Sequence, residues 1–186
     1  LNTDFSIDMG NGEITSYNNE SINWKITLVD TGLDTMTGGR VLRLKKYIGN
    51  EDFMLTYGDG LSNVNLEKLL DFHNQHEKMV TVTAVRPIAR FGELEISSNQ
   101  VKNFQEKPQA AEGWINGGFF VFEPEIFDFI EGDATMLERE PLEKITQANQ
   151  LMAYHHPGYW QCMDTIRDKQ ALEELWAAGQ GPWSGL

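Results

Sequence analysis

Four short polar segments interrupt apolar runs in this sequence: Gly58-Asp59-Gly60, Glu106-Lys107-Pro108, Asn116-Gly117-Gly118 and Met163-Asp164-Thr165. Together they supply two aspartates, a glutamate, a lysine, and glycines that let backbone approach a ligand closely. Paired Asp carboxylates suit Mg2+, which takes one or two of them and fills its remaining positions with water and substrate phosphates. A lysine is a compact point charge suited to phosphate. The chemistry these types point to is metal-assisted handling of phosphate groups. Each segment also has a purely structural reading. Asp-Gly is a common hairpin signal, Glu-Lys-Pro and Asn-Gly-Gly can be ordinary turns, and Asp164 can belong to the cap of a following helix. No Ser-His-Asp or Cys-His arrangement stands out, so covalent catalysis has no candidate nucleophile. His73 and His76 lie three apart on a helical pattern with no further ligand type nearby, and His155-His156 are adjacent residues whose side chains diverge.

The elements that must place these groups can be read in order. Leu1 to Ile14 alternates loosely around Gly10-Asn11-Gly12, with Phe5 and Ile7 on one side of the turn and Ile14 on the other, and predicts a hairpin. Trp24 to Val29 alternates and predicts a strand. Thr37 is a candidate N-cap for a helix carrying Val41, Leu44 and Ile48, stopped by Gly49-Asn50. Gly38 and Gly39 at its start cost helix stability, which close approach of a ligand or another backbone would explain, as would a tight loop. Phe53 to Gly60 reads as a strand ending in a corner that carries Asp59, running into a helix from Asn65 to Glu77. Open α/β sheets bind ligands at such strand ends. Val80 to Val85 is a β-branched strand ended by Arg86-Pro87. Glu93–Ile96 and Val101–Phe104 form a hairpin, and Phe119 to Phe122 is a strand. Pro124 opens a short helix to Ile130; Glu140–Gln147 and Ile166–Ala178 are further helices, the last behind a capping box at Thr165 and Asp168. Leu151 to Tyr154 is a short strand, with His155-His156-Pro157-Gly158 as loop. Strands alternating with helices, plus a hairpin, predict an α/β fold with a mixed sheet.

Composition narrows the function classes. A chain of 186 residues with 40% hydrophobic content suits one domain with a real core. The net charge of −13 argues against duplex nucleic acid as a partner, but a phosphate can still be held locally through a divalent cation. Cys162 is the single cysteine, so no intrachain disulfide forms, in keeping with a reducing cytoplasm. No signal peptide or membrane-length apolar run is visible.

The motifs have a family likeness. Val29-Asp30-Thr31-Gly32, Thr35-Met36-Thr37-Gly38-Gly39-Arg40, Tyr57-Gly58-Asp59-Gly60, Arg90-Phe91-Gly92, Phe104-Gln105-Glu106-Lys107-Pro108, Ile115 to Phe120, Met163-Asp164-Thr165 and Pro182-Trp183 occur in order over nearly the whole chain. This series resembles the glucose-1-phosphate cytidylyltransferase (CDP-glucose pyrophosphorylase) family of sugar-phosphate nucleotidyltransferases. Gly-Asp-Gly and Glu-Lys-Pro identify the superfamily. Thr-Met-Thr-Gly-Gly-Arg, the Trp160-to-Thr165 segment and Pro182-Trp183 point to the cytidylyl branch.

The resemblance implies a Rossmann-like nucleotidyltransferase fold with a mixed sheet, residues 1–186 forming one domain. It implies transfer of a cytidylyl group from CTP to α-D-glucose 1-phosphate, giving CDP-glucose and pyrophosphate for the CDP-linked deoxysugars of O-antigen and lipopolysaccharide. By the same resemblance Asp59 and Asp164 hold Mg2+, and Glu106 and Lys107 contact the sugar and its phosphate. Thr35, Arg40 and Gly58 lie near the nucleotide, and Asn116 and Gly117 line the glucosyl pocket. The expected catalytic set is Asp59, Lys107 and Asp164, in a homo-oligomeric cytoplasmic enzyme with no nucleic-acid or membrane partner.

One departure accompanies the likeness. The family opens with a strand, a Gly-Gly-x-Gly-Thr-Arg-Leu loop and a Lys-Pro segment, and Gly38-Gly39-Arg40 is a different motif. The chain, which opens at Leu1, is therefore expected to be the sugar- and metal-binding portion of the family domain, incomplete on its N-terminal side. Other readings are a non-catalytic module that keeps a sugar-phosphate site and a sugar nucleotidyltransferase that uses UTP or dTTP. A metal-dependent glycosyltransferase lacks its Asp-x-Asp here.

Overall fold

The computed structural model describes residues 5–17, 25–87, 93–97, 100–105 and 113–184. The chain divides into two compact units, residues 1–30 and 31–186. In the first, strands β1 (Phe5–Ile7) and β2 (Ile14–Ser16) form the expected antiparallel hairpin, with Ile7 opposite Ile14. Its turn is tied by Asp8, whose carboxylate accepts from the Gly10 N–H at 2.7 Å, and Gly12 turns the chain at φ 75°. Residues 25–29, expected to continue a strand from Trp24, form no regular element. Alternation favours a strand only where another edge receives its backbone bonds, and none does so among the described residues; Leu28 stays 92% exposed.

The second unit runs α1 (Thr37–Ile48), β3 (Phe53–Thr56), β4 (Gly60–Ser62), α2 (Leu66–His76), β5 (Val80–Val85), β6 (Glu93–Ser97), β7 (Gln100–Gln105) and β8 (Ile115–Phe122). A 3-10 helix at Pro124–Phe129, α3 (Glu140–Gln147), β9 (Leu151–His156), β10 (Trp160–Cys162) and α4 (Ile166–Ala177) complete it. The main sheet has four strands in the order β3-β8-β5-β9. Its first two pairings are antiparallel and β5–β9 is parallel, so the sheet is mixed, as expected. β4 pairs with β10, and β6 with β7.

The central strands are buried on both sides because their sequences allow it: Val80, Thr81, Thr83, Ala84 and Val85 of β5 are all buried. Phe120 and Phe122 of β8 stack at 5.2 Å, and Phe53 of β3 adds to the row 5.4 Å from Phe122. Each such buried side chain contributes about 1.5–3 kcal/mol by leaving water. Edge strand β3 alternates instead, with Phe53 and Leu55 half-buried and Met54 and Thr56 exposed. Thr81 is buried because hydroxyl partners exist: His73 Nδ1 lies 2.8 Å and His76 Nε2 2.7 Å from its Oγ1. The two histidines of α2 thus fasten helix to sheet.

Four further expectations need correction. Thr37 does not cap α1; Met36 occupies that position and Thr37 is the first helical residue. The helix start is closed by the 133–137 segment, whose Asp133 and Thr135 carbonyls accept from the Met36 and Gly38 N–H groups at 2.8 and 3.0 Å. A Cβ on Gly39 would lie 2.6 Å from Asp133 Cα, so close backbone approach explains the glycine pair. Second, the Asp59 corner does not run directly into a helix, because β4 intervenes. Third, Asn116-Gly117-Gly118 is not a turn before a strand but part of β8. Fourth, His155 and His156 belong to β9, since parallel pairing with Ala84 and Val85 holds the strand regular to its end. Asn65 does cap α2, accepting from the Lys68 N–H at 2.8 Å. Among the described residues no helix is long and apolar enough to cross a membrane.

Candidate active site

The site begins with the pairing of two three-residue strands. β4 and β10 run antiparallel with Gly60 opposite Cys162, and the next backbone bond outward joins the Met163 N–H to the Asp59 carbonyl at 2.8 Å. Two aspartates far apart in sequence are thereby set at one end of one ladder, Asp59 on one strand's edge and Asp164 just beyond the other's. Both are exposed. The structural readings of these corners do not hold. β3 and β4 pair with different strands, so Gly58-Asp59-Gly60 is not a hairpin turn. Thr165 and Asp168 cap α4 by reciprocal bonds of 2.9 and 3.2 Å, so Asp164 is not the capping residue. The Asp164 carboxylate accepts from the Cys162 thiol at 3.2 Å; burial and this carboxylate push the thiol up from its ordinary value.

The β8 bulge borders this corner. Val82 faces Phe120 but Ala84 faces Asn116, so residues 117–119 take up the width of Thr83 alone. A Cβ on Gly117 would meet Val85 Cγ1 at 2.7 Å and the Thr83 carbonyl at 2.9 Å, and Gly118 has φ 78° with the Tyr57 ring against it. Only glycines fit this path. The bulge is tied to the aspartate ladder by the Trp160 indole N–H, which donates to the Gly117 carbonyl at 2.8 Å.

Tyr57, at the end of β3, links this region to the start of α1. Its hydroxyl donates to Glu138 Oε1 at 2.7 Å, while Thr37 donates to Glu138 Oε2 at 2.6 Å. Burial, the Glu138 carboxylate and, more weakly, Asp59 push the phenol well above its ordinary value. Asn116 Nδ2 lies 3.5 Å from the Tyr57 hydroxyl, and Asn116 Oδ1 accepts from the Gly118 N–H at 2.8 Å.

The nominated residues fall into three groups. Asp59, Gly58, Asp164, Asn116 and Gly117 gather around the β4–β10 ladder and the β8 bulge. Thr35 and Arg40 lie at the α1 start: Thr35 is 7% exposed, and Arg40 folds back to donate to Thr31 Oγ1 at 2.7 Å and the Leu33 carbonyl at 3.2 Å. Glu106 and Lys107, with the Arg90-Phe91-Gly92 motif, lie outside the described residues. Tyr57, Glu138 and Trp160 received no role from the sequence. Tyr57 and Trp160 lay inside quoted motifs; Glu138, in the charged run Glu138-Arg139-Glu140, carried no signal at all.

Residues 6–178 match the model of the nucleotidyl transferase family. The chain is 50% identical over 161 residues to the glucose-1-phosphate cytidylyltransferase of Salmonella typhi, covering 86% of this chain and 63% of that relative's length. It is 40% identical over 179 residues to a probable glucose-1-phosphate cytidylyltransferase of Bacillus subtilis, covering 96% of this chain and 70% of the relative. Among solved structures, HddC from Yersinia pseudotuberculosis superposes with a TM-score of 0.63 at 21% identity, over 85% of this chain and 70% of that one. At that identity the likeness speaks for the fold.

Proposed function

We infer the reaction from one premise: this chain belongs to the nucleotidyl transferase family. We propose that the protein transfers a cytidylyl group from CTP to glucose 1-phosphate, releasing pyrophosphate and forming CDP-glucose. The observation that carries the choice of substrates is the 50% identity to the Salmonella typhi glucose-1-phosphate cytidylyltransferase. The placement of Asp59 and of Asp164 at the same end of the β4–β10 ladder supports the chemistry.

In this reaction an oxygen of the sugar phosphate attacks the α-phosphorus of CTP. One O–P bond forms, the bond to pyrophosphate breaks, and no side chain is covalently modified. The protein's task is positioning and charge neutralisation. Lys107 offsets the repulsion between the two phosphates as they approach. Glu106 accepts from glucose hydroxyls, with Asn116 and Gly117 lining the sugar side. Thr35, Arg40 and Gly58 lie toward the nucleotide.

Asp59 and Asp164 fit a divalent ion as donors, being two exposed carboxylates on adjoining backbone. Mg2+ takes one or two carboxylates and fills its remaining positions with water and substrate phosphates, so two aspartates are a sufficient protein donor set. When bound, the ion would neutralise phosphate charge and favour departure of pyrophosphate. The same reading makes the protein a cytoplasmic homo-oligomer that supplies CDP-linked deoxysugars for O-antigen and lipopolysaccharide. The test is pyrophosphate release by the full-length protein with Mg2+, glucose 1-phosphate and CTP, UTP or dTTP in turn. Release with CTP is expected; release with UTP or dTTP but not CTP would overturn the assignment.

A further inference from the structure

We propose that Glu138 and Tyr57 are positioning residues that fix the side-chain amide of Asn116 so that it offers an N–H donor to a hydroxyl oxygen of the hexose. This rests on the reading above that a hexose phosphate is the acceptor.

The direction of each hydrogen bond is set by what each group can do. A carboxylate only accepts, so both hydroxyls that reach Glu138 must give it their protons, Thr37 at 2.6 Å and Tyr57 at 2.7 Å. Both are charge-assisted bonds, stronger than bonds between neutral groups. Thr37 is held in turn by the Leu137 N–H, which donates to its oxygen at 2.9 Å. Tyr57 has then spent its only proton, and its oxygen can only accept from Asn116 Nδ2, at the long limit of 3.5 Å. On the other side of the amide the Gly118 N–H can only donate, so it must meet Asn116 Oδ1, at 2.8 Å. Both neighbours enforce the same orientation. Asn116 is exposed, so its second N–H remains for a ligand oxygen.

The phenol is also locked sterically. Its ring packs edge-on to Phe120 at 6.0 Å and lies so close to Gly118 that a Cβ there would be 2.5 Å from Tyr57 Cδ2. Glu138 thus acts on the sugar side of the site from the far end of a chain that starts at α1. Glu138→Gln keeps the shape but brings an NH2 group to one of two hydroxyls that require an acceptor. If that hydroxyl is Tyr57, its proton turns toward Asn116. The amide would have to reverse, setting its NH2 against the Gly118 N–H.

The experiment measures KM for glucose 1-phosphate and for CTP by pyrophosphate release from the full-length protein, with thermal melting alongside. The proteins are the wild type, Glu138→Gln, Tyr57→Phe and the double variant. Each single variant is expected to raise the glucose 1-phosphate KM about tenfold, the effect of one lost hydrogen bond, with the CTP KM held within about twofold. The double variant should be no worse than either single one, because both act through one chain. An unchanged glucose 1-phosphate KM overturns the proposal. So do multiplying effects in the double variant, or a parallel rise in both KM values with a lowered melting temperature, the mark of a merely structural role. If the wild type itself releases no pyrophosphate from CTP and glucose 1-phosphate, the functional reading fails and this inference falls with it.

Discussion

Asp59 and Asp164 carry the sharpest residue-scale expectation. Both are exposed and neither supports the core, so Asp59→Asn and Asp164→Asn should leave the melting temperature nearly unchanged. Each should lower Mg2+-dependent turnover on the order of a thousandfold, since a metal carboxylate supplies several kcal/mol of charge stabilisation. Rates within threefold of wild type would exclude the two-carboxylate model. His73 and His76 show the opposite situation, titratable groups used for packing. The Lys78 N–H donates to His76 Nδ1 at 2.9 Å, so the other ring nitrogen carries the proton and donates to Thr81, whose own proton goes to His73. Burial holds both imidazoles below the ordinary 6.5. The unfolded chain therefore takes up protons first on acidification, and this stabilisation, complete above pH 6.5, is lost as pH falls toward the depressed values. His156, depressed by burial, acts in the same sense; Glu123, raised by burial from 4.5, acts in the opposite sense nearer its own value. The melting temperature should drop between about pH 7.5 and pH 5.5, and His76→Gln should flatten that slope. An equal slope in the variant would place the pH dependence elsewhere.

At the scale of elements, α1 and β8 depend on glycines for close approach. Gly39→Ala would drive a Cβ into Asp133, at 2.6 Å from its Cα and 2.7 Å from its carbonyl, and neither backbone atom can rotate away. A loss of about 1–3 kcal/mol is expected in denaturant unfolding. Gly117→Ala meets Val85 and the Thr83 carbonyl at 2.7 and 2.9 Å and should cost a similar amount, about 1–3 kcal/mol. It should also depress activity beyond its effect on stability, because the bulge carries Asn116. Full activity in a destabilised Gly117→Ala protein would separate the bulge from the site. Most elements were legible because they follow local rules. Val80–Val85, Glu140–Gln147 and the Asn65 cap are present where β-branching, periodicity and capping chemistry put them. Residues 25–29 alternate like a strand and form none, because alternation is local whereas strand pairing is not.

For the whole molecule, the net charge of −13 must be reconciled with the two polyanionic substrates of the proposed reaction. Removing divalent ions from the full-length protein with a chelator should abolish pyrophosphate release, and added Mg2+ should restore it. The melting temperature should stay nearly unchanged, because Asp59 and Asp164 are exposed and the core is built from aromatic and aliphatic side chains such as Phe120, Phe122, Ile126 and Leu137. Persistence of turnover in chelator would remove Mg2+ from the mechanism.

The sequence by itself determined the α/β class, the family likeness and the residue types of the site. Gly-Asp-Gly, Asn-Gly-Gly and Met-Asp-Thr stand out in the sequence as polar segments because they interrupt apolar runs. Only the tertiary structure decided which corners meet. The β4–β10 pairing sets Asp59 and Asp164 at the same end of one ladder, and the Trp160 bond ties that ladder to Gly117. It also decided that the Gly38-Gly39 helix start receives backbone from residues 133–137, and that Glu138 reaches Tyr57. The reason is physical: propensity, capping and periodicity act over a few residues and leave a local mark. A hydrogen bond between distant segments leaves none, since its partners acquire a relation only when the chain closes on itself.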